Sequence, residues 1–304
     1  MRIAVHGQQA FGKAVLERLL ERGENVVAVF SAPDKEGRPR DPLAELAEEK
    51  GLPLHQPASW KTPEAAELMA RYEPDVCMMA YVTLFVPQNV LDTPKHGTFQ
   101  YHPSLLPRHR GPSSINWPVI QGETKTGLTI FWPDEGLDEG PILLQKEVEI
   151  GPDDTLGSLY FNHLFPMGVD AMIEALDLVK EGRAPKAPQD HSKATYESWC
   201  RKADAEIDWS KPAGEVYNLI RGCDPQPGAW TTRSGQQVQI YDSARTNAQG
   251  EPGTVLDVSG DGVTIAAKGG AIQVKRVRPA GGKKGAAGDW AGEAGVTAGD
   301  RLGG

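Results

Sequence analysis

The chain has 304 residues, of which 39% are hydrophobic and 24% charged, a composition that excludes a disordered segment and leaves room for two domains. Thirty-two basic residues against 41 acidic ones give a net charge of −9, which argues against a protein that coats nucleic acid or anionic membrane. The three cysteines, Cys77, Cys200 and Cys223, are widely spaced and form no C-x-x-C pair, so neither a disulfide framework nor a zinc ribbon is expected.

A reducing, cytoplasmic setting fits that cysteine usage. The opening Met1–Gly7 lacks the apolar core of a signal peptide. No run approaches the ~18 apolar residues needed to span a bilayer, so no membrane partner is expected.

Along the first ~180 residues, short apolar runs alternate with amphipathic stretches. Ile3 to Val5 reads as a first strand ending at Gly7, and Phe11, Val15 and Leu19 then share one helical face. Val26 to Phe30 is β-branched and short, as buried parallel strands are. Asp41 before Pro42, with Gly51 after Lys50, brackets a helix by its cap, its first-turn proline and its terminal glycine. Val76 to Ala80, Thr98 to Tyr101 and Leu128 to Trp132 are further strands. Asp154 can cap a long helical segment reaching about Lys180, interrupted at Pro166. The alternation predicts an α/β domain over residues 1–182 with a doubly wound, Rossmann-like parallel sheet, whose ligands sit at the carboxyl ends of the strands.

Residues 183–205 read as a linker. A short helix spans Lys211 to Gly222, with Val216, Leu219 and Ile220 inward. Beyond Gly228, Val238 to Tyr241, Thr254 to Val258, Val263 to Ala267 and Ile272 to Val277 are short strands separated by glycine-containing turns. They predict a second, smaller OB-like β-barrel domain over 206–304. Its glycine-rich tail from Gly281 is expected to be loosely ordered in part. This second domain carries 11 basic and 11 acidic residues, so the whole net charge of −9 lies in the first 205 residues. Lys275, Arg276, Arg278, Lys283 and Lys284 form one basic cluster, either a solvated face or a polyanion contact.

Several motifs are near misses. Gly7 to Ala14 nearly matches a phosphate-binding loop, but Ala14 replaces the hydroxyl residue that holds magnesium, and Gln9 stands where a dinucleotide fingerprint has its second glycine. No nucleotide is expected. His96, His102 and His109 are six and seven residues apart, which is no ligand spacing on a helix face, so no metal is expected either. A nucleophile elbow, G-x-S-x-G, is missing.

The informative stretch is Gln100 to Gly111, where a strand gives way to a proline-punctuated loop. Gln100 and His102 are two apart and point to the same side of a strand. An amide beside an imidazole can serve an acyl-transfer centre, one donating to an oxyanion and the other handling a proton. A second stretch, Pro133 to Gly140, is turn-like and holds four carboxylates. One of them beside His102 would orient the ring and favour its charged form.

His102-Pro103-Ser104-Leu105-Leu106-Pro107 and Gly136-Leu137-Asp138-Glu139-Gly140 resemble the two motifs of the 10-formyltetrahydrofolate-dependent formyltransferase family, at a similar separation of 36 residues. Pro227-Gly228-Ala229-Trp230 and Gly299 to Gly303 extend the resemblance to the carboxyl terminus. Pro33 to Gly37, Arg108 to Gly111, Ile115 to Trp117 and Phe165-Pro166 are most similar to the amino-terminal hydrolase domain of 10-formyltetrahydrofolate dehydrogenase. Methionyl-tRNA formyltransferase is also similar, but its loop after the second strand is longer and more basic than Asp34 to Pro42 here. Gln100 departs from the pattern: the transferases carry asparagine at this position and the dehydrogenase an apolar residue.

The resemblance implies catalytic roles for Gln100, His102 and Asp138. It implies a folate pocket lined by Leu84, Phe85 and Val86 on one side and by Ser104, Leu105, Leu106 and Pro107 on the other. The implied donor is 10-formyltetrahydrofolate. The implied acceptor is water or a small amine, with methionyl-tRNA as the alternative and a folate-binding module without catalysis as a third reading.

Overall fold

In the computed structural model, which describes residues 1–303, the chain forms two compact units. The first comprises residues 1–111, 127–148 and 162–196, and the second residues 112–126, 149–161 and 197–304. In chain order the elements of the α/β part are β1 (Arg2–Gly7), α1 (Gln9–Glu21), β2 (Asn25–Ser31), α2 (Pro42–Glu49), β3 (Leu54–His55), α3 (Pro63–Ala70), β4 (Val76–Ala80), α4 (Gln88–Leu91), β5 (Thr98–His102), α5 (Asn116–Ile120), β6 (Lys125–Phe131) and β7 (Ile142–Glu149). Next come α6 (Leu156–Leu159), a π-helical turn (Tyr160–Leu164) and α7 (Phe165–Lys180).

The seven strands form one sheet in the order β3-β2-β1-β4-β5-β6-β7. The pairs β2–β3, β1–β2, β1–β4 and β4–β5 are parallel. β6 runs antiparallel to β5, a local departure within the expected doubly wound, parallel-dominated sheet. The connection from β5 carries only the five-residue α5 rather than a crossover helix able to return the chain for a parallel pairing. The strand order reverses between β1 and β4. There the two backbones are so close that a Cβ on Gly7 would lie 2.3 Å from the Ala80 carbonyl oxygen.

Alternation along the strands separates two cores. Val5, Met78, Phe99, Tyr101 and Ile130 pack with Phe11 and Val15 of α1 and with Val169 and Met172 of α7. The opposite face holds Ala28, Phe30, Cys77, Met79 and Trp60. His6 points to this second side, with its ring centroid 4.8 Å from that of Trp60. Burial of the imidazole lowers its pKa to about 3.

An unfolded chain protonates His6 below about pH 6.5, whereas the folded one keeps it neutral down to about 3. The unfolded state therefore binds the extra proton between these values, and stability is lost as pH falls through that window. Urea unfolding at pH 7 and pH 5 should show a loss about 2 kcal/mol smaller in His6→Leu than in the wild type. Equal losses in the two proteins would refute this account.

Local signals set the helix ends. The Asp41 carboxylate caps α2 by accepting from Leu43 N–H at 2.9 Å, and it also accepts from Gln9 N–H at 2.8 Å. The phosphate-loop-like turn thus directs this amide at a carboxylate of the same chain. At the later helical run the cap is Thr155 rather than Asp154. Thr155 and Ser158 form a reciprocal capping box, while Asp154 accepts from Gly151 N–H and the Ser158 hydroxyl. Pro166 sits in the first turn of α7, where no intrahelical N–H is needed.

In the second unit, α8 (Ala213–Gly222) buries Val216 and Ile220. It is followed by β8 (Ala229–Arg233), β9 (Gln236–Thr246), β10 (Val255–Ser259), β11 (Gly262–Ala267), β12 (Gly270–Pro279), β13 (Gly285–Ala286) and α9 (Ala287–Ala294). The main strands form an antiparallel sheet in the order β10-β11-β12-β9-β8, with β13 on β12. Ala287 and Ala291 of α9, with Val296 and Leu302 beyond it, are buried in the core of this unit. The three cysteines are free thiols.

Candidate active site

The geometry is built on the carboxyl end of β5. Phe99 and Tyr101 turn into the α1–α7 core, so Gln100 and His102 must face the other side. His102 is buried, and its Nε2 lies 2.9 Å from the carbonyl oxygen of His109. A carbonyl only accepts, so this nitrogen carries the proton in the neutral ring. The Ser104 hydroxyl, fully buried, donates to the carbonyls of Arg108 at 2.7 Å and His109 at 3.2 Å. These bonds close the 102–109 loop and bring the His109 carbonyl to the ring. His109 itself has φ 55°, in the left-handed region.

The other ring nitrogen, Nδ1, faces Asp138 Oδ2 at 3.6 Å. Asp138 belongs to the loop between β6 and β7, closed at its base by Trp132 N–H donating to Pro141 carbonyl at 2.9 Å. The loop brings Asp138 back to His102, and Oδ2 accepts from Gly111 N–H at 2.8 Å. Both side chains are under a tenth exposed. The sequence thus brought together two residues 36 apart, and the fold makes them neighbours. At 3.6 Å the two side chains face each other without a direct hydrogen bond.

Gln100 is half-buried, and no protein partner is found for its amide among the described residues. It lies opposite Phe131 on β6, and His102 lies opposite Thr129. Thr129 Oγ1 donates to the Ser104 carbonyl at 2.7 Å and accepts from Leu106 N–H at 3.1 Å and Gln145 Nε2 at 2.9 Å. It fastens the proline loop to the sheet.

The residues expected to line a pocket divide by exposure. Ser104 and Leu106 are buried, while Leu105 and Pro107 are half-buried. On the other side Val86 is buried and Leu84 packs partly against the second core. Phe85 is 57% exposed, with Lys61 Nζ 5.2 Å from its ring centre. Among the described residues, no three His, Cys, Asp or Glu side chains are grouped to hold a metal ion, and no helix is long and apolar enough to cross a membrane.

Sequence reasoning missed Gln189, placed in the presumed linker. Its side chain is buried and reaches the Asp138 loop, donating to the carbonyls of Asp138 at 2.9 Å and Gly140 at 2.7 Å. It also missed the burial of Arg110, which is only 1% exposed.

Known proteins match along most of the chain. The family model "Formyl transferase" matches residues 1–176, and "Formyl transferase, C-terminal domain" matches residues 200–294. Mitochondrial 10-formyltetrahydrofolate dehydrogenase of Mus musculus is 44% identical over 265 residues, covering 86% of this chain but 29% of that protein. The chain therefore spans less than a third of the dehydrogenases it matches. Methionyl-tRNA formyltransferase of Geotalea daltonii is 36% identical over 308 residues, covering 100% of this chain and 98% of that protein. Among solved structures, HypX from Aquifex aeolicus in complex with tetrahydrofolic acid superposes with a TM-score of 0.70 at 21% identity, over 96% of this chain and 47% of that one. With the family models covering both parts of the sequence, the chain belongs to the formyl transferase family.

Proposed function

We propose that the protein takes the formyl group of 10-formyltetrahydrofolate and passes it to water or a small amine, releasing tetrahydrofolate. The observation that carries this reading is the buried His102–Asp138 pair beside the unpartnered Gln100 amide at the end of β5. The higher identity to the dehydrogenase over 86% of the chain favours a small acceptor. So does the short, charge-mixed loop between β2 and α2.

In this reading the acceptor oxygen or nitrogen attacks the formyl carbon, and its proton passes to Asp138. The Asp138 Oδ1 atom is suited to this, since Oδ2 is held by Gly111 N–H. The formyl oxygen becomes an oxyanion, stabilised by the Gln100 amide N–H and by a protonated His102, whose charge the neighbouring carboxylate supports. His102 Nε2 is anchored on the His109 carbonyl, so Nδ1 is the ring atom free to exchange a proton. Collapse breaks the bond from carbon to the folate nitrogen, which takes the proton that the acceptor gave up. With water the products are formate and tetrahydrofolate. Exposed Phe85 and half-buried Leu84, Leu105 and Pro107 supply apolar walls for a flat heteroaromatic ring.

The second reading is methionyl-tRNA as acceptor, favoured by the end-to-end match to a methionyl-tRNA formyltransferase. The basic cluster would serve it only in part. Arg278 is hydrogen-bonded to Gln239, and Lys284 lies over the Tyr241 ring and 3.6 Å from Asp224. The test is to supply 10-formyltetrahydrofolate with water alone, with small amines and amino sugars, and with charged initiator tRNA, following tetrahydrofolate and the formylated product. Release with water or an amine is the expected result. Formylation of tRNA alone would establish the second reading, and binding without turnover would reject both.

A further inference from the structure

The loop that carries Asp138 is not held by its own hydrogen bonds alone. Asp138 has φ 56°, a left-handed conformation that is strained for a non-glycine residue. Such a backbone persists only when its surroundings fix it. Here the fixing group is Gln189, whose two amide hydrogens go to the carbonyls of Asp138 and Gly140 at 2.9 and 2.7 Å. Its oxygen accepts from Arg110 Nη2 at 2.7 Å and Nε at 3.2 Å. The amide therefore has one possible orientation. A guanidinium only donates and a carbonyl only accepts, so a flipped Gln189 would break all four bonds.

Arg110 is held in turn. Its backbone N–H donates to the Thr195 carbonyl at 3.0 Å, and His191 Nδ1 accepts from Nη2 at 3.3 Å. Nη1 donates to the Tyr196 hydroxyl and stands 3.5 Å from Glu139. The Tyr196 hydroxyl donates to Glu139 in its turn, and that carboxylate holds the phenol above its ordinary pKa, so it remains a donor. Glu139 thus supplies the opposite charge that a buried guanidinium needs. The residue after Arg110 is Gly111, whose N–H holds the Asp138 carboxylate. Arg110 consequently acts on both ends of Asp138, on the backbone through Gln189 and on the side chain through its own neighbour in the chain.

We infer that Gln189 and Arg110 are positioning residues for Asp138: the arginine sets the Gln189 amide, and the amide pins the left-handed backbone of 138–140 so that the carboxylate meets His102. The inference rests on the proposed role of Asp138. It accounts for a buried arginine in the motif loop and for a buried glutamine in a stretch whose composition reads as linker, neither of which touches a reacting atom.

The test uses the full chain with 10-formyltetrahydrofolate. Gln189→Glu keeps the side chain's shape and its acceptor towards Arg110, but sets an oxygen against two carbonyls. Gln189→Met keeps the bulk and removes all four bonds. Both should lower kcat ten- to a hundredfold, the scale of an ångström-sized misplacement of a reacting group, while KM for the folate changes by less than about threefold. Arg110→Ala should lose activity likewise and regain several-fold of it on addition of millimolar guanidinium, which a general loss of packing would not permit. Thermal unfolding of each variant identifies any that fails to fold. If Asp138→Asn is inactive while both folded Gln189 variants keep wild-type kcat, the positioning inference is overturned and the proposed function stands. If Asp138→Asn itself keeps wild-type turnover, the proposed function fails first.

Discussion

His102→Ala is expected to reduce release of tetrahydrofolate from 10-formyltetrahydrofolate by at least two orders of magnitude, with little change in folding stability. Loss of one oxyanion donor alone typically costs about 10²–10³ in rate. In the proposed reaction this ring also stands beside the proton acceptor Asp138, 3.6 Å away. Stability should move little, because the ring's one strong bond is to the His109 carbonyl, which the Ser104 hydroxyl still serves at 3.2 Å in the variant. Asp138→Asn separates charge from shape. The amide oxygen can still accept from Gly111 N–H, so the loop keeps its fastening, but no anion remains to favour a charged His102 or to take a proton. It should lose turnover on the same scale with KM for the folate nearly unchanged. Steady-state formation of tetrahydrofolate, with thermal unfolding of each variant, checks both. Full activity in either variant contradicts the roles assigned to the pair.

The unequal legibility of the site in the sequence has a physical origin. His102 is legible in a proline loop after a strand, whereas the glycine-bounded turn offers four carboxylates and only the resemblance to the formyltransferase motif singles out Asp138. Each motif encodes a backbone shape, and a shape is a local property. Gln189 encodes nothing locally. It is one glutamine among prolines and lysines, and its role exists only because the fold sets the 138–140 carbonyls and the Arg110 guanidinium around it. The same distinction explains the sheet. The buried runs of β1, β2, β4 and β5 read directly as strands, and Asp41 with Pro42 announced α2. The direction of β6 depends on how the chain returns from β5, which no strand pattern records. β7 went unread because most of Leu144–Glu149 is polar, as the exposed positions of an edge strand are. In the tail from Gly281 the glycines outnumber the anchors, yet Ala287, Ala291, Val296 and Leu302 are buried in the core of the second unit.

Gly140→Ala should be as damaging as loss of His102, although position 140 bears no functional group. A Cβ there would lie 1.8 Å from the Trp132 carbonyl oxygen, 2.9 Å from its carbon and 3.3 Å from Asp134 N. All three are backbone atoms, so no rotamer change relieves the clash, and one strand of the loop must move. The Trp132 side cannot easily yield. Its N–H closes the loop on the Pro141 carbonyl, and its indole donates to the Pro185 carbonyl at 2.9 Å. The displacement therefore falls on residues 138–140, which takes the Gly140 carbonyl off Gln189 and the Asp138 carboxylate off His102 together. Turnover should drop at least a hundredfold, since an ångström of misplacement is enough for that loss. Overpacking of this kind costs typically 1–3 kcal/mol, small enough for a chain of this length to remain folded at 25 °C. Gly136→Ala is the informative contrast. The three atoms nearest its Cβ belong to the Glu139 side chain, at 2.6 to 2.8 Å, and a side chain can shift where backbone cannot, at some cost to its contacts with Tyr196 and Arg110. Turnover of Gly136→Ala should therefore exceed that of Gly140→Ala by at least tenfold, and equal activity in the two would show that the close approach at Trp132 does not set the position of Asp138.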